Sequence, residues 1–93
     1  SIPPGTAKNM FYYTYMLKSI SPGYMKTYVG YTTNLKLRLN KHNDNKGAKS
    51  TKGYKWIIIY SKKFKVKKEA MSFEYKLKNN RILRKKILDD FVI

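Results

Sequence analysis

Residues 27–42, TYVGYTTNLKLRLNKH, change period halfway along, and that change constrains what the chain can fold into. Tyr28, Val29 and Tyr31 are strand formers. Gly30 interrupts them where another group can approach the backbone closely. From Asn34 onward the pattern is helical. Thr33 or Asn34 can cap the helix, and Leu35 and Leu39 stand one turn apart. Arg38 and His42 have the i, i+4 spacing that puts two side chains on one face. At about 100° per residue, these four side chains fall within an arc of about 100°. A strand therefore feeds a helix that presents an arginine and a histidine beside its own apolar stripe. Leu37 lies opposite that stripe and takes no part in it.

The flanking segments supply the rest of an α+β domain. Residues 11–18, FYYTYMLK, read as a strand. The following SISPG reads as a turn, and residues 26–32 as the returning strand of a hairpin. Residues 54–61, YKWIIIYS, are the most apolar strand candidate, and their unbroken centre predicts a central, two-sided position. Residues 66–77 place Ala70, Phe73 and Leu77 at helical spacing. Glu74 falls about 40° from Ala70, on the shoulder of that stripe. Asn79 and Asn80 mark a break, and residues 81–90 form a third helix with Leu83, Ile87 and Leu88 inward. The expected order is ββαβαα, a small three-stranded antiparallel sheet flanked by about three helices. Residues 1–9, rich in Pro and Gly, read as a flexible lead-in to a single domain over residues 10–93. A chain of 93 residues allows one modest core.

Charge narrows the function. There are 21 Lys and Arg against 5 Asp and Glu, a formal net charge of +16. A field of that size attracts polyanions, nucleic acid first. No apolar run approaches the ~20 residues of a membrane span, so no membrane partner is expected. The chain lacks cysteine, which excludes disulfides and thiolate chemistry, and its lone histidine argues against a structural zinc site. Asp44, Glu69, Glu74, Asp89 and Asp90 are the only acids. A two-metal phosphodiesterase needs several convergent carboxylates, so metal chemistry here calls for one ion and few protein ligands.

These features together resemble the GIY-YIG nuclease superfamily. The resemblance rests on Tyr13-Thr14-Tyr15 in the first strand, Tyr28-Val29-Gly30 in the second, Arg38 and His42 on the next helix, and Glu74 on a later one. It spans residues 11–80. The wording of NLKLRLNKHN, KGAKSTKG and AMSFEYKLK is similar to the URI-like branch, which includes the nuclease domain of a eukaryotic structure-specific endonuclease that works with a scaffold partner. Two departures stand out. The first half-motif reads Tyr-Thr-Tyr where the family has Gly-Ile-Tyr, and a chain without cysteine lacks the zinc-binding domain of that eukaryotic endonuclease.

The resemblance implies roles. Tyr15 would be the general base or would orient the attacking water; a free phenol has a pKa near 10, so it needs help from a cation. Tyr28 would contact the water or the scissile phosphate. Arg38 would clamp the phosphate with its fork of donors, and His42 would relay a proton. Glu74 would be the sole protein ligand of one Mg²⁺ or Mn²⁺ ion, which keeps several waters. In the Gly-rich loop, Lys46, Lys49 and Lys52 would contact the DNA backbone, and Asn79 and Asn80 would lend polar support. The partner would be double-stranded DNA, branched or distorted, because a small basic surface reads backbone shape more readily than base identity. Repair, recombination or mobile-element processing would fit, with the protein beside DNA in a nucleus, nucleoid or viral replication site. A protein scaffold or a homodimer would help such a small domain grip a junction. The competing expectations are a catalytically silent nucleic-acid-binding module of the same fold and a basic protein that condenses DNA or RNA without metal.

Overall fold

The computed structural model describes residues 10–21, 25–47 and 49–91. Three strands, β1 (Tyr12–Ser21), β2 (Thr27–Thr32) and β3 (Lys55–Phe64), form one antiparallel sheet in the order β2-β1-β3. Three α-helices follow the expected order: α1 (Leu35–Asn43), α2 (Lys67–Lys78) and α3 (Arg81–Asp90). The α+β reading, with ββαβαα order, is what the chain adopts. A short 3-10 helix, Lys49–Thr51, lies inside the loop between α1 and β3. The expected lead-in, residues 1–9, and the Pro22-Gly23 turn lie outside the described residues. No helix among the described residues is long and apolar enough to cross a membrane.

The central strand is β1, and β3 is an edge strand, contrary to the expectation drawn from its apolar run. The reason lies in burial. Thr14, Tyr15, Met16 and Leu17 are consecutive and each at most 1% exposed, which is the signature of a strand covered on both faces. Hydropathy hides it because two of the four are polar. The Thr14 hydroxyl donates to the Ala70 carbonyl at 2.8 Å, and the Tyr15 hydroxyl bonds to His42 at 2.9 Å, so neither is left unsatisfied. β3 is apolar because helices cover both of its sides too. Ile58 packs against the cluster under α1, and Ile59 and Tyr60 pack against the cluster under α2 and α3. Two consecutive residues reach the same side because the β1–β3 register slips between Met16 and Leu17.

Alternation along β1 divides the core in two. Tyr15 and Leu17 join Trp56, Tyr28, Leu35 and Leu39 beneath α1. Met16 joins Val29, Leu77, Phe73, Leu83 and Ile87 beneath α2 and α3. The helix ends obey local chemistry. Asn34, rather than Thr33, caps α1 by accepting from the Leu37 amide at 3.0 Å, and Asn80 caps α3 by accepting from the Leu83 amide at 3.0 Å. Asn79 donates to the Tyr75 carbonyl at 2.8 Å. The Asn79-Asn80 pair thus shapes the corner between two helices. Leu37 is exposed, as its place off the stripe requires.

Candidate active site

Helix α1 lies over the Tyr15 face of the sheet and brings Arg38 and His42 down onto it. The Tyr15 hydroxyl sits 2.9 Å from His42 Nε2, and Arg38 Nε donates to the same hydroxyl at 3.4 Å. The Tyr28 ring lies 4.9 Å from the His42 ring and 6.3 Å from the Tyr15 ring, centroid to centroid. Register explains the cluster. Tyr15 pairs with Gly30 across the strands, and Tyr28 pairs with Leu17, so the two tyrosines are diagonal neighbours on one face. Gly30 makes room for them: a Cβ there would lie 2.7 Å from the Tyr15 hydroxyl and 3.1 Å from Tyr28 Cε2. Tyr15 and His42 are fully buried, and the half-buried Arg38 and Tyr28 form the rim.

The loop after α1 is built around His42. His42 Nδ1 lies 2.9 Å from the Thr51 hydroxyl, and Thr51 is itself 0% exposed. The Thr51 carbonyl accepts from the Trp56 indole at 3.0 Å, which ties the 3-10 turn to β3. Asn43 clamps the same strand, accepting from the Trp56 amide at 2.6 Å and donating to its carbonyl at 3.2 Å. Gly47 passes so close that a Cβ there would run into the His42 ring. Lys46, Lys49 and Lys52 stand exposed on the outside of this loop.

Only one proton position in this chain of contacts is fixed by chemistry alone. Arginine has donors and no acceptor, so Arg38 gives to the Tyr15 oxygen. The Tyr15 hydroxyl can give its hydrogen to His42 Nε2 or accept from it, and the Thr51 hydroxyl has the same choice at Nδ1, so the two contacts fit either neutral tautomer of the ring. His42 is neutral in this arrangement, and burial, followed by the nearby Arg38 charge, lowers its pKa from 6.5. Burial likewise pushes Tyr15 up to about 12, although its bond to Arg38 pulls the other way. Arg38 is raised, chiefly by its hydrogen bond to Tyr15.

Glu74 stands on α2, which covers the opposite face from α1. Its side chain is 19% exposed and pairs with the Lys78 ammonium at 3.3 Å. Its charge reaches Tyr15 as the smallest of the influences that raise the phenol. The structure therefore brings Tyr15, Tyr28, Arg38 and His42 into contact, and Glu74 joins them through its field. No group of three or more His, Asp or Glu that could hold a metal exists among the described residues. A metal in this site would have Glu74 as its carboxylate and water for most other ligands. The donor set fits Mg²⁺ or Mn²⁺, which bind through one or two carboxylates and retain water.

The family model described as the GIY-YIG catalytic domain matches residues 11–86. The chain belongs to the GIY-YIG family. Several bacterial proteins are similar to it. It is 43% identical over 68 residues to the UPF0213 protein OB0043 of Oceanobacillus iheyensis, covering 72% of this chain and 76% of that one. It is 40% identical over 79 residues to the UPF0213 protein YazA of Bacillus subtilis, covering 84% and 73%. The solution NMR structure of the UPF0213 protein BH0048 from Bacillus halodurans aligns at 34% identity, covering 85% and 82%, with a TM-score of 0.46.

Within this GIY-YIG domain, one of the two departures in the first half-motif, Thr14, is satisfied by a hydrogen bond. Thr14 lies beneath α2 and spends its hydroxyl on the Ala70 carbonyl, so a residue other than isoleucine is accommodated there. Sequence reasoning missed Thr51 and Gly47. Both lie in the KGAKSTKG stretch, where lysines attracted the attention. A glycine and a hydroxyl residue within ten positions after a candidate catalytic histidine were the available signal.

Proposed function

We propose that this chain is a divalent-metal-dependent DNA endonuclease that hydrolyses phosphodiesters by a one-metal route. The supporting observation is the Arg38–Tyr15–His42–Thr51 chain of hydrogen bonds, set in a protein of net charge +16. Arg38 and Tyr28, at the rim, receive the phosphate, and the fixed guanidinium offsets the charge that develops on it. Tyr15 and His42 stand behind them and take the proton. A phenol raised to about 12 stays protonated at neutral pH, so Tyr15 works as a relay rather than as a preformed phenolate. Its oxygen takes a proton from the attacking water while its own hydrogen passes to neutral His42 Nε2. Thr51 holds the opposite ring nitrogen, which keeps Nε2 free to accept. Glu74 would hold one Mg²⁺ or Mn²⁺, which would supply positive charge to stabilise the leaving group.

Lys46, Lys49 and Lys52 would carry the flanking backbone, together with Arg38. The same reading makes the substrate branched, flapped or otherwise distorted DNA, in repair, recombination or mobile-element processing. It places the chain in the URI-like branch, working inside the cell on DNA, with a scaffold partner or a second copy completing the grip on a junction. The test is cleavage of labelled linear, flapped, splayed and four-way-junction DNAs with Mg²⁺, Mn²⁺ or chelator, using wild type, Glu74→Gln and Arg38→Ala. Metal-dependent cutting lost in both variants supports the reading. Binding without cutting by all three, with either metal, sinks it and favours the silent binding module.

A further inference from the structure

A second basic feature lies beside the site, on the outer edge of β2. A cavity of about 250 Å³ is lined by Thr27, Tyr28 and Val29 from β2, and by Lys78 and Arg84 from the α2–α3 corner. We propose that this cavity seats a second phosphate of the same DNA strand, one that flanks the bond to be cut. The proposal takes DNA as the ligand from the functional reading above and adds where the strand runs.

Three observations carry it. First, both ionisable side chains with full charges on the wall are cations, and no carboxylate lines it. The volume is many times the minimum that one water needs, which leaves room for a phosphate group. Second, Arg84 is held in place. Its Nη1 donates to the Leu77 carbonyl at 2.8 Å and to the Lys78 carbonyl. A guanidinium has five N–H donors, and these bonds engage Nη1 alone, so the fork is oriented with donors to spare. Arg84 is also one of three arginines in a chain with eighteen lysines, where bulk charge is lysine's work. Third, the cavity shares residues with the site. Tyr28 borders both, and Lys78 both lines the cavity and pairs with Glu74 at 3.3 Å. The half-exposed Lys78 ammonium has three donors and can serve a phosphate on its other side. In this proposal a strand with one phosphate at Arg38 and Tyr28 places a neighbouring phosphate at Lys78 and Arg84, across the shared Tyr28.

The experiment measures binding of a fluorescein-labelled splayed-arm DNA to the full chain in chelator, where no cutting occurs, across a salt series. Wild type is compared with Lys78→Gln, Arg84→Gln and, as a control on the far side of α3, Lys86→Gln, whose ammonium pairs with Asp90. Each cavity variant is expected to lower the slope of log K against log salt by about one, while Lys86→Gln leaves it unchanged. A neutral methylphosphonate is then walked along the strand one phosphate at a time. At one position it weakens wild type and leaves Lys78→Gln unaffected. Arg84→Gln also loses a helix-corner contact, so Lys78→Gln carries the test if the arginine variant unfolds. Equal slopes in wild type and Lys78→Gln, with no such position, overturn the cavity and leave the nuclease reading standing. A wild type that binds no DNA at any salt overturns both.

Discussion

Beneath α1, His42 is bonded at both ring nitrogens, to Tyr15 and to Thr51, and a backbone glycine closes over its ring. Beneath α2, the Glu74 carboxylate meets the ammonium of Lys78, one turn along the same helix and half exposed. The first arrangement is assembled by tertiary folding and holds one geometry without substrate. The second is a local pair that any stronger cation can replace. The contrast matches the tasks proposed for the two sides. Proton transfer needs donors and acceptors held at hydrogen-bond distance before the substrate arrives. A metal ligand needs only a carboxylate of low cost to detach. The same sheet thus carries a rigid half and an exchangeable half, and their variants should fail in different ways.

The largest effect should separate activity from stability on the exchangeable side. Glu74→Gln is expected to reduce metal-dependent cleavage by more than the ~10²–10³-fold that one stabilising donor supplies, with an unchanged circular dichroism spectrum. Arg38→Ala should lose about 10²–10³-fold in kcat. Glu74→Gln cutting at the wild-type rate with Mg²⁺ would break the division of labour.

On the rigid side, Thr51→Val keeps the volume and removes the hydroxyl. It should cost about 10–100-fold in kcat, by analogy with partners that orient ligand histidines, and about 1–3 kcal/mol of stability for the unsatisfied Nδ1–H. Nitrogen NMR of the His42 ring should show the proton leaving Nδ1, and Thr51→Ser should restore it. A purely structural role predicts the stability loss with the tautomer unchanged. Gly30→Ala should cost about 1–3 kcal/mol, read from the thermal midpoint, because its Cβ would overpack Tyr15.

Acid should also find the rigid side first. The folded pKa of His42 lies below its ordinary 6.5, so the unfolded chain binds its proton more readily. That contribution to stability is complete above pH 6.5 and is lost as pH falls through the folded value. Cleavage should fall over the same acid window, since a protonated ring cannot accept from Tyr15. A His42→Gln variant should lack this step in a thermal-midpoint titration.

These two halves were unequally legible in the sequence. Arg38 and His42 could be placed together because helical spacing is local, and the faces of β1 and β2 followed from strand alternation. Glu74 could be placed on the shoulder of its helix for the same reason. Thr51 was out of reach because its role is a contact with a residue nine positions away across an irregular loop, where no period applies. The exchange of β1 and β3 has a related cause. Hydropathy points to the most apolar strand, and β1 hides its burial behind Thr14 and Tyr15, whose polar atoms are satisfied by α2 and α1. Where buried polar groups are satisfied by their neighbours, apolarity understates how central a strand is.

The smallest effect gives the sharpest test of the contrast. The Glu74–Lys78 pair joins i, i+4 residues, with Lys78 51% exposed, and such pairs contribute about 0.3–0.5 kcal/mol. Lys78→Gln should therefore shift stability by no more than ~0.5 kcal/mol in urea, and salt should shrink the difference because it screens exposed charges. The chain's excess positive charge pushes the same way, since removing one lysine relieves some self-repulsion. A loss of 2 kcal/mol or more, on the order of a broken buried network, would mean that the pair is a fixed part of the fold. Glu74 would then have to give up a structural contact to take a metal, and the two faces of the sheet would be alike.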